Sequence, residues 1–264
     1  MYTPFDFSEA VGHRRDYIDE RLREGSPVVG IATASGLMLV TIRRSQRKVF
    51  EIYDRHMFSA IGNQSDIEAI RLASINMAHQ EGFERSPDDV TMHRLVGFTL
   101  SPAIKKGFGD QMVVPFVLKA LFAEAGTGTG ADGFYVLNYD GEFRRSERAA
   151  VVAGSAAAED KMLERLGDLE ALGSLPVPQA LDLALRAWCA GARVALQQSV
   201  IGRRDDDDIS PLKAVEGEEA DKAFLHDELK DASVEAALLE RKSAKDVRFR
   251  LLTADEVGQV LAAF

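Results

Sequence analysis

The chain has 264 residues, 46% hydrophobic and 28% charged, enough to bury a sizeable core as one large domain over 1–264. Its 32 basic against 42 acidic side chains leave a formal net charge of −10, which argues against a nucleic-acid or anionic-membrane partner. Cys189 is alone and excludes an internal disulfide, no apolar run is long enough to span a bilayer, and Asp6 and Glu9 interrupt any signal-peptide pattern, so the expectation is a soluble, cytoplasmic protein.

The predicted elements begin with a helix over 8–23, with Val11, Tyr17, Ile18 and Leu22 on one face and Gly25 as its stop. Two apolar, β-branched runs separated by Ser35-Gly36 then read as a β-hairpin. Between Glu24 and Glu51 there is no carboxylate at all. Strands over 48–53 and 57–62 follow, then a helix ending near Gly82 with Ser65 and Glu68 as a capping box and Ile67, Ile70, Leu72, Ile75 and Met77 as its apolar positions.

A second long helix is expected over 88–106, its end blurred by Gly97 and Pro102. The apolar run 113–124 fits strand or helix. Phe134 to Tyr139 with Asp140-Gly141 predicts a hairpin closed by a type I′ turn. After Val151-Val152 come helices over 156–172 and 177–196, strands over 234–240 and 247–252, and a closing helix whose capping box is Thr253 with Glu256. The segment 199–232, with Asp205 to Asp208, reads as a solvated, partly disordered acidic insertion, since it lacks the alternating ligands and glycine of a calcium loop.

Taken in order, these residues resemble the α subunits of the proteasome core particle, bacterial type. The resemblance rests on the helix ahead of Gly25-Ser26-Pro27-Val28-Val29-Gly30-Ile31, on Lys48 through Arg55, and on Phe58-Ser59-Ala60-Ile61-Gly62 leading into a helix. Tyr139 to Phe143, Val151 to Ser155, Gln179 to Ala187 and Val234 to Arg241 continue it over nearly the whole chain. It implies an α+β fold, the four-layer αββα sandwich of the N-terminal nucleophile hydrolases with an added N-terminal helix, and it favours strand for 113–124.

The catalytic members of that fold use a Thr, Ser or Cys at the start of the first strand, with its own α-amine as base, a second-strand carboxylate and a third-strand lysine. Here Ser26 and Lys48 fall at matching places, but Thr41, Ile42 and Arg43 stand where the acid belongs and Pro27 follows the would-be nucleophile. The resemblance therefore implies a subunit without catalytic residues of its own, within a threonine-type endopeptidase complex. It further implies a homo-oligomeric, seven-membered ring, a β-subunit partner, a ring-shaped ATPase or other activator, and unfolded protein substrates.

By the same resemblance, Lys48 with Gly25, Gly62 and Asn63 would hold an activator's terminal carboxylate, a task suited to a compact ammonium. Met1, Tyr2, Thr3, Pro4, Phe5, Asp6 and Phe7 would form a gate on the ring axis, within an N-terminal region of 1–24. On the residues alone, Lys48 is equally an edge-strand charge and Phe5 and Phe7 equally a hydrophobic staple. A self-assembling single-ring peptidase of the same superfamily and a proteasome-fold scaffold without protease activity are the alternative functions.

Other features carry less. Gly128 to Gly133 matches a dinucleotide fingerprint by letters, yet a strand rather than a helix is expected after it. His13, His56, His79, His93 and His226 lack metal-ligand spacing, and Trp188-Cys189 sits in a helical apolar stripe and reads as core. No cofactor or metal is expected.

Overall fold

Side chains of the first hairpin alternate between two cores. In the computed structural model, which describes residues 4–110, 112–126, 131–201, 217–241 and 247–264, β1 (Val28–Ala32) pairs antiparallel with β2 (Gly36–Arg43), Ile31 opposite Met38. Val28, Ala32, Leu37 and Leu39 point one way, while Val29, Ile31, Met38, Val40 and Ile42 point the other. Period-two alternation with both faces apolar requires cover on both sides.

The inner cover is a second sheet. β3 (Val49–Tyr53), β4 (His56–Gly62), β5 (Leu118–Glu124), β6 (Gly133–Leu137) and β7 (Phe143–Ser146) are ordered β3-β4-β5-β6-β7. β8 (Ala149–Val152), β9 (Ser233–Glu240) and β10 (Phe249–Leu251) complete the first sheet in the order β10-β9-β2-β1-β8. Leu37 and Leu39 meet Leu121, Phe134 and Val136 between the sheets. Gly30 is bare because a Cβ there would press into the Phe134 ring at 2.8 Å.

Helices form the outer layers. α5 (Ala156–Leu166), α6 (Leu169–Leu172), α7 (Val177–Ile201), α8 (Glu218–Glu228) and α9 (Ala254–Ala263) cover the first sheet through Met162, Leu181, Leu185, Trp188 and Leu225. On the other side, α2 (Gln64–Glu84), α3 (Met92–Arg94) and α4 (Ser101–Gly109) cover the second sheet through Ile67, Ile70, Val96 and Ile104. The architecture is the expected α+β, four-layer αββα sandwich. α1 (Pro4–Leu22) closes the end of the inter-sheet core with Ile18 and Leu22.

Several local expectations need correction. α2 is capped by Asn63, whose side chain accepts from the Ser65 N–H, and Glu68 pairs with Arg71 instead of closing a box. Tyr17 and Leu72 are exposed, the burial falling to Val11, Ile18 and Leu22 in α1 and to Ile67, Ile70, Ser74 and Ala78 in α2. The run 92–109 stays helical past Gly97 and Pro102 because Leu95–Leu100 widens into a π-helix ahead of α4.

The run 113–124 is strand only from Leu118: Pro115 has no N–H, and the Val117 N–H goes to the Asp66 carboxylate at 2.8 Å. At the β6–β7 turn only Gly141 has positive φ, so Asn138 to Glu142 is not a type I′ turn but a longer loop with a left-handed glycine. Part of the acidic segment is helical, as the end of α7 and all of α8, while Asp205 to Asp208 lie outside the described residues. The capping box of Thr253 with Glu256 opens α9 as expected.

Candidate functional site

β1 and β3 begin side by side in different sheets, and the residues just before them meet. Ser26 precedes β1 and Lys48 precedes β3. The Lys48 ammonium donates to the Ser26 carbonyl oxygen at 2.7 Å and to Thr41 Oγ1 at 3.2 Å. Thr41 in turn donates to the Pro27 carbonyl at 2.7 Å. Of the three β2 residues Thr41, Ile42 and Arg43, Thr41 is the one whose side chain meets the lysine, through a hydroxyl.

Ser26 is differently engaged. Its hydroxyl donates to the Ile42 carbonyl at 2.7 Å and accepts from Trp188 Nε1 at 3.3 Å. A nucleophilic serine needs a base at its hydroxyl proton, and that proton is committed to a backbone oxygen. Lys48 addresses the carbonyl of Ser26, not this hydroxyl.

Under Lys48 lies Glu235 of β9, 5% exposed. It accepts from the Lys48 N–H at 2.9 Å and the Val49 N–H at 3.3 Å, with Arg43 and Arg47 each at 3.6 Å. Burial pulls the Lys48 ammonium down to about 7, and the Glu235 charge opposes the fall without cancelling it. Lys48 is therefore close to half-charged at neutral pH, held by neutral oxygens and able to gain from an arriving anion.

A cavity of about 600 Å³ opens here, between the start of β1, the end of β4 and the α7–α8 face. Gly25, Lys48 and Gly62 all line it, so three of the four predicted binding residues share one space. Gly62, at φ 129°, abuts the Val117 carbonyl so closely that a Cβ would overlap it, and a Gly25 Cβ would stand 3.0 Å from that of Ile61. Asn63 follows directly, but its side chain caps α2 and its N–H donates to the Val117 oxygen at 2.8 Å. Trp188 and Phe224 supply an aromatic wall.

Of the predicted gate, Met1, Tyr2 and Thr3 lie outside the described residues, and Pro4, Phe5, Asp6 and Phe7 form the first turns of α1, which starts four residues earlier than expected. Proline suits a first helical turn, where its missing N–H has no partner to lose. α1 is fastened to the end of α4 by Arg14, which donates to the Gly107, Phe108 and Val113 oxygens at 3.2, 3.0 and 2.6 Å. A cation over the carbonyls that end a helix is favourable.

Thr41, Glu235, Trp188 and Phe224 were not among the predicted site residues; the only signal for Thr41 was its place in the acid-free stretch. Among the described residues no group of three or more His, Cys, Asp or Glu is placed to hold a metal ion. His56 is fully buried against Glu124 at 3.3 Å, and the other four histidines are exposed. Strand β6 does begin at Gly133, and Gly128 to Gly130 lie outside the described residues. Among those described, no helix is long and apolar enough to cross a membrane.

The sequence is 30% identical over 193 residues to the proteasome subunit alpha of Streptosporangium roseum, a span covering 71% of this chain and 72% of that one. It is 31% identical over 195 residues to that of Saccharopolyspora erythraea, covering 72% and 74%. Against that of Kineococcus radiotolerans it is 29% identical over 209 residues, covering 78% and 85%. No protein-family model matches the chain.

Proposed function

The chain belongs to the proteasome α-subunit family, and from that premise we propose that it is a non-catalytic ring subunit which admits substrates to a separate β ring and docks activators. Lys48 is the residue that receives an activator's C-terminal carboxylate, and the segment from Met1 to Phe7 is the gate. The docking half is carried by one observation: an ammonium in a cavity of about 600 Å³ that hydrogen-bonds only neutral oxygens, 2.7 Å from the Ser26 carbonyl.

A carboxylate entering the cavity that Gly25 and Gly62 line would reach this ammonium there, the two glycines letting the backbone pack closely against Ile61 and Val117 in the cavity wall. There it would exchange a neutral acceptor for a charged one, and charge-assisted hydrogen bonds are roughly twice as strong as neutral ones. The fully charged lysine is then favoured, so binding draws in a proton near neutral pH. The non-catalytic half is supported by Thr41, Ile42 and Arg43, none of them an acid, and by a Ser26 hydroxyl proton committed to the Ile42 carbonyl.

The test is peptide hydrolysis by the chain assembled with its β partner, with and without activator. Lys48→Ala should remove the activator's effect while native mass spectrometry still records rings. Stimulation equal to that of the parent would overturn the docking reading.

A further inference from the structure

The cavity mouth has a charge opposite to that of the molecule. In a chain of net −10, Arg43, Arg44, Arg47 and Lys48 fall within six residues, at the end of β2 in one sheet and on the link to β3 in the other. The charged residues lining the cavity are Arg23, Arg44, Arg47 and Lys48 against Glu24 and Glu228. Below them, the buried carboxylate of Glu235 faces Arg43, Arg47 and the Lys48 N–H together.

Arg44 stands apart from these pairings. It is exposed at the mouth and makes no ion pair among the described residues. Arg47 is held at the same mouth, donating to the Val49 carbonyl at 2.8 Å and lying over the Phe50 and Phe249 rings at 5.6 and 5.7 Å. One cation is thus free and another is fixed in place, both beside the opening that leads to Lys48.

We infer that the site selects a partner whose C-terminal segment is acidic immediately ahead of its terminal carboxylate, with Arg44 and Arg47 reading the acidic residues while Lys48 takes the terminus. This deepens the docking reading and rests on it. Arg44 and Arg47 line the same cavity as Lys48, so a tail whose terminus sits on Lys48 has its preceding residues within the space that these cations border. Rim charges of this kind set partner choice and the speed of encounter more than the final grip.

Two fluorescein-labelled decapeptides with the same last three residues test it, one with three Asp immediately upstream and one with three Ser there, titrated onto the assembled full-length chain by fluorescence anisotropy. The acidic peptide should bind roughly tenfold tighter in 50 mM salt, and the ratio should shrink to about twofold in 500 mM. Arg44→Gln should narrow the low-salt ratio, and Arg44→Lys should restore most of it, a pattern that loss of folding would not give. Equal affinities for the two peptides, each lost on Lys48→Ala or on amidating the terminus, would overturn the inference while leaving the docking reading intact. Binding indifferent to both Lys48→Ala and amidation would overturn the docking reading and the inference with it.

Discussion

The Lys48 ammonium lies 2.7 Å from the carbonyl oxygen of Ser26, 22 positions earlier in the chain. The contact fixes the lysine in the cavity with its ammonium on neutral oxygens, and the nearby Glu235 charge only partly offsets its burial, so it can gain from an arriving anion.

Tail binding should depend on pH because the free lysine titrates at about 7. Below that value the site is already charged and affinity is flat. Above it each binding event must take up a proton, so the Kd for a C-terminal carboxylate peptide should rise by up to about tenfold per pH unit. Anisotropy titrations at pH 6, 7.5 and 9 measure this, and a Kd constant across the three would refute it.

Stability should show the same lysine from the other side. A lysine titrates near 10.4 when unfolded and at about 7 here, so the folded state binds fewer protons between those values and stability rises with pH across that window. The penalty for the buried charge is fully present below 7. Lys48→Met should therefore exceed the parent in Tm most at pH 6, with the gap narrower at pH 9; a gap of constant size would contradict the burial argument.

Glu235 is expected to matter structurally. Replacing it with Ala strands the buried N–H groups of Lys48 and Val49, each costing ~1–3 kcal/mol when unpaired. Urea unfolding of Glu235→Ala should lose at least about 2 kcal/mol. Glu235→Gln, which keeps one acceptor, should recover part of that loss.

Ser26→Ala separates packing from chemistry. It removes the acceptor of Trp188 Nε1 and should lower stability by about 1 kcal/mol. Peptide hydrolysis by the assembled particle should not change. A large loss of turnover with folding preserved would reassign Ser26 as a nucleophile.

The first hairpin, the strand at Val234 and the Thr253 cap were legible because their signals are local: alternation, a Ser-Gly turn, a box three residues wide. Competition between local signals misled at Ser65, where Asn63 two residues earlier supplies a carboxamide that reaches the same helix end first. Long-range exchange misled at Val117, since its N–H is taken by Asp66, 51 positions away. Lys48, Gly25 and Gly62 were named through a resemblance, and the structure brings them to one cavity. Glu235 was not foreseen, because its partner Lys48 lies 187 positions away and a single acid in a strand carries no sign of what it will face.

The central claim is that this subunit controls access without performing chemistry, and one assay tests it most directly: fluorogenic peptide hydrolysis by the chain assembled with its β partner, with and without activator, for the parent, Lys48→Ala and a deletion of residues 1–7. The account predicts that Lys48→Ala abolishes stimulation, since a charge-assisted contact of ~1.5–3 kcal/mol is lost. It predicts that the deletion raises hydrolysis without any activator. Stimulation intact in Lys48→Ala together with unchanged basal hydrolysis in the deletion would contradict it.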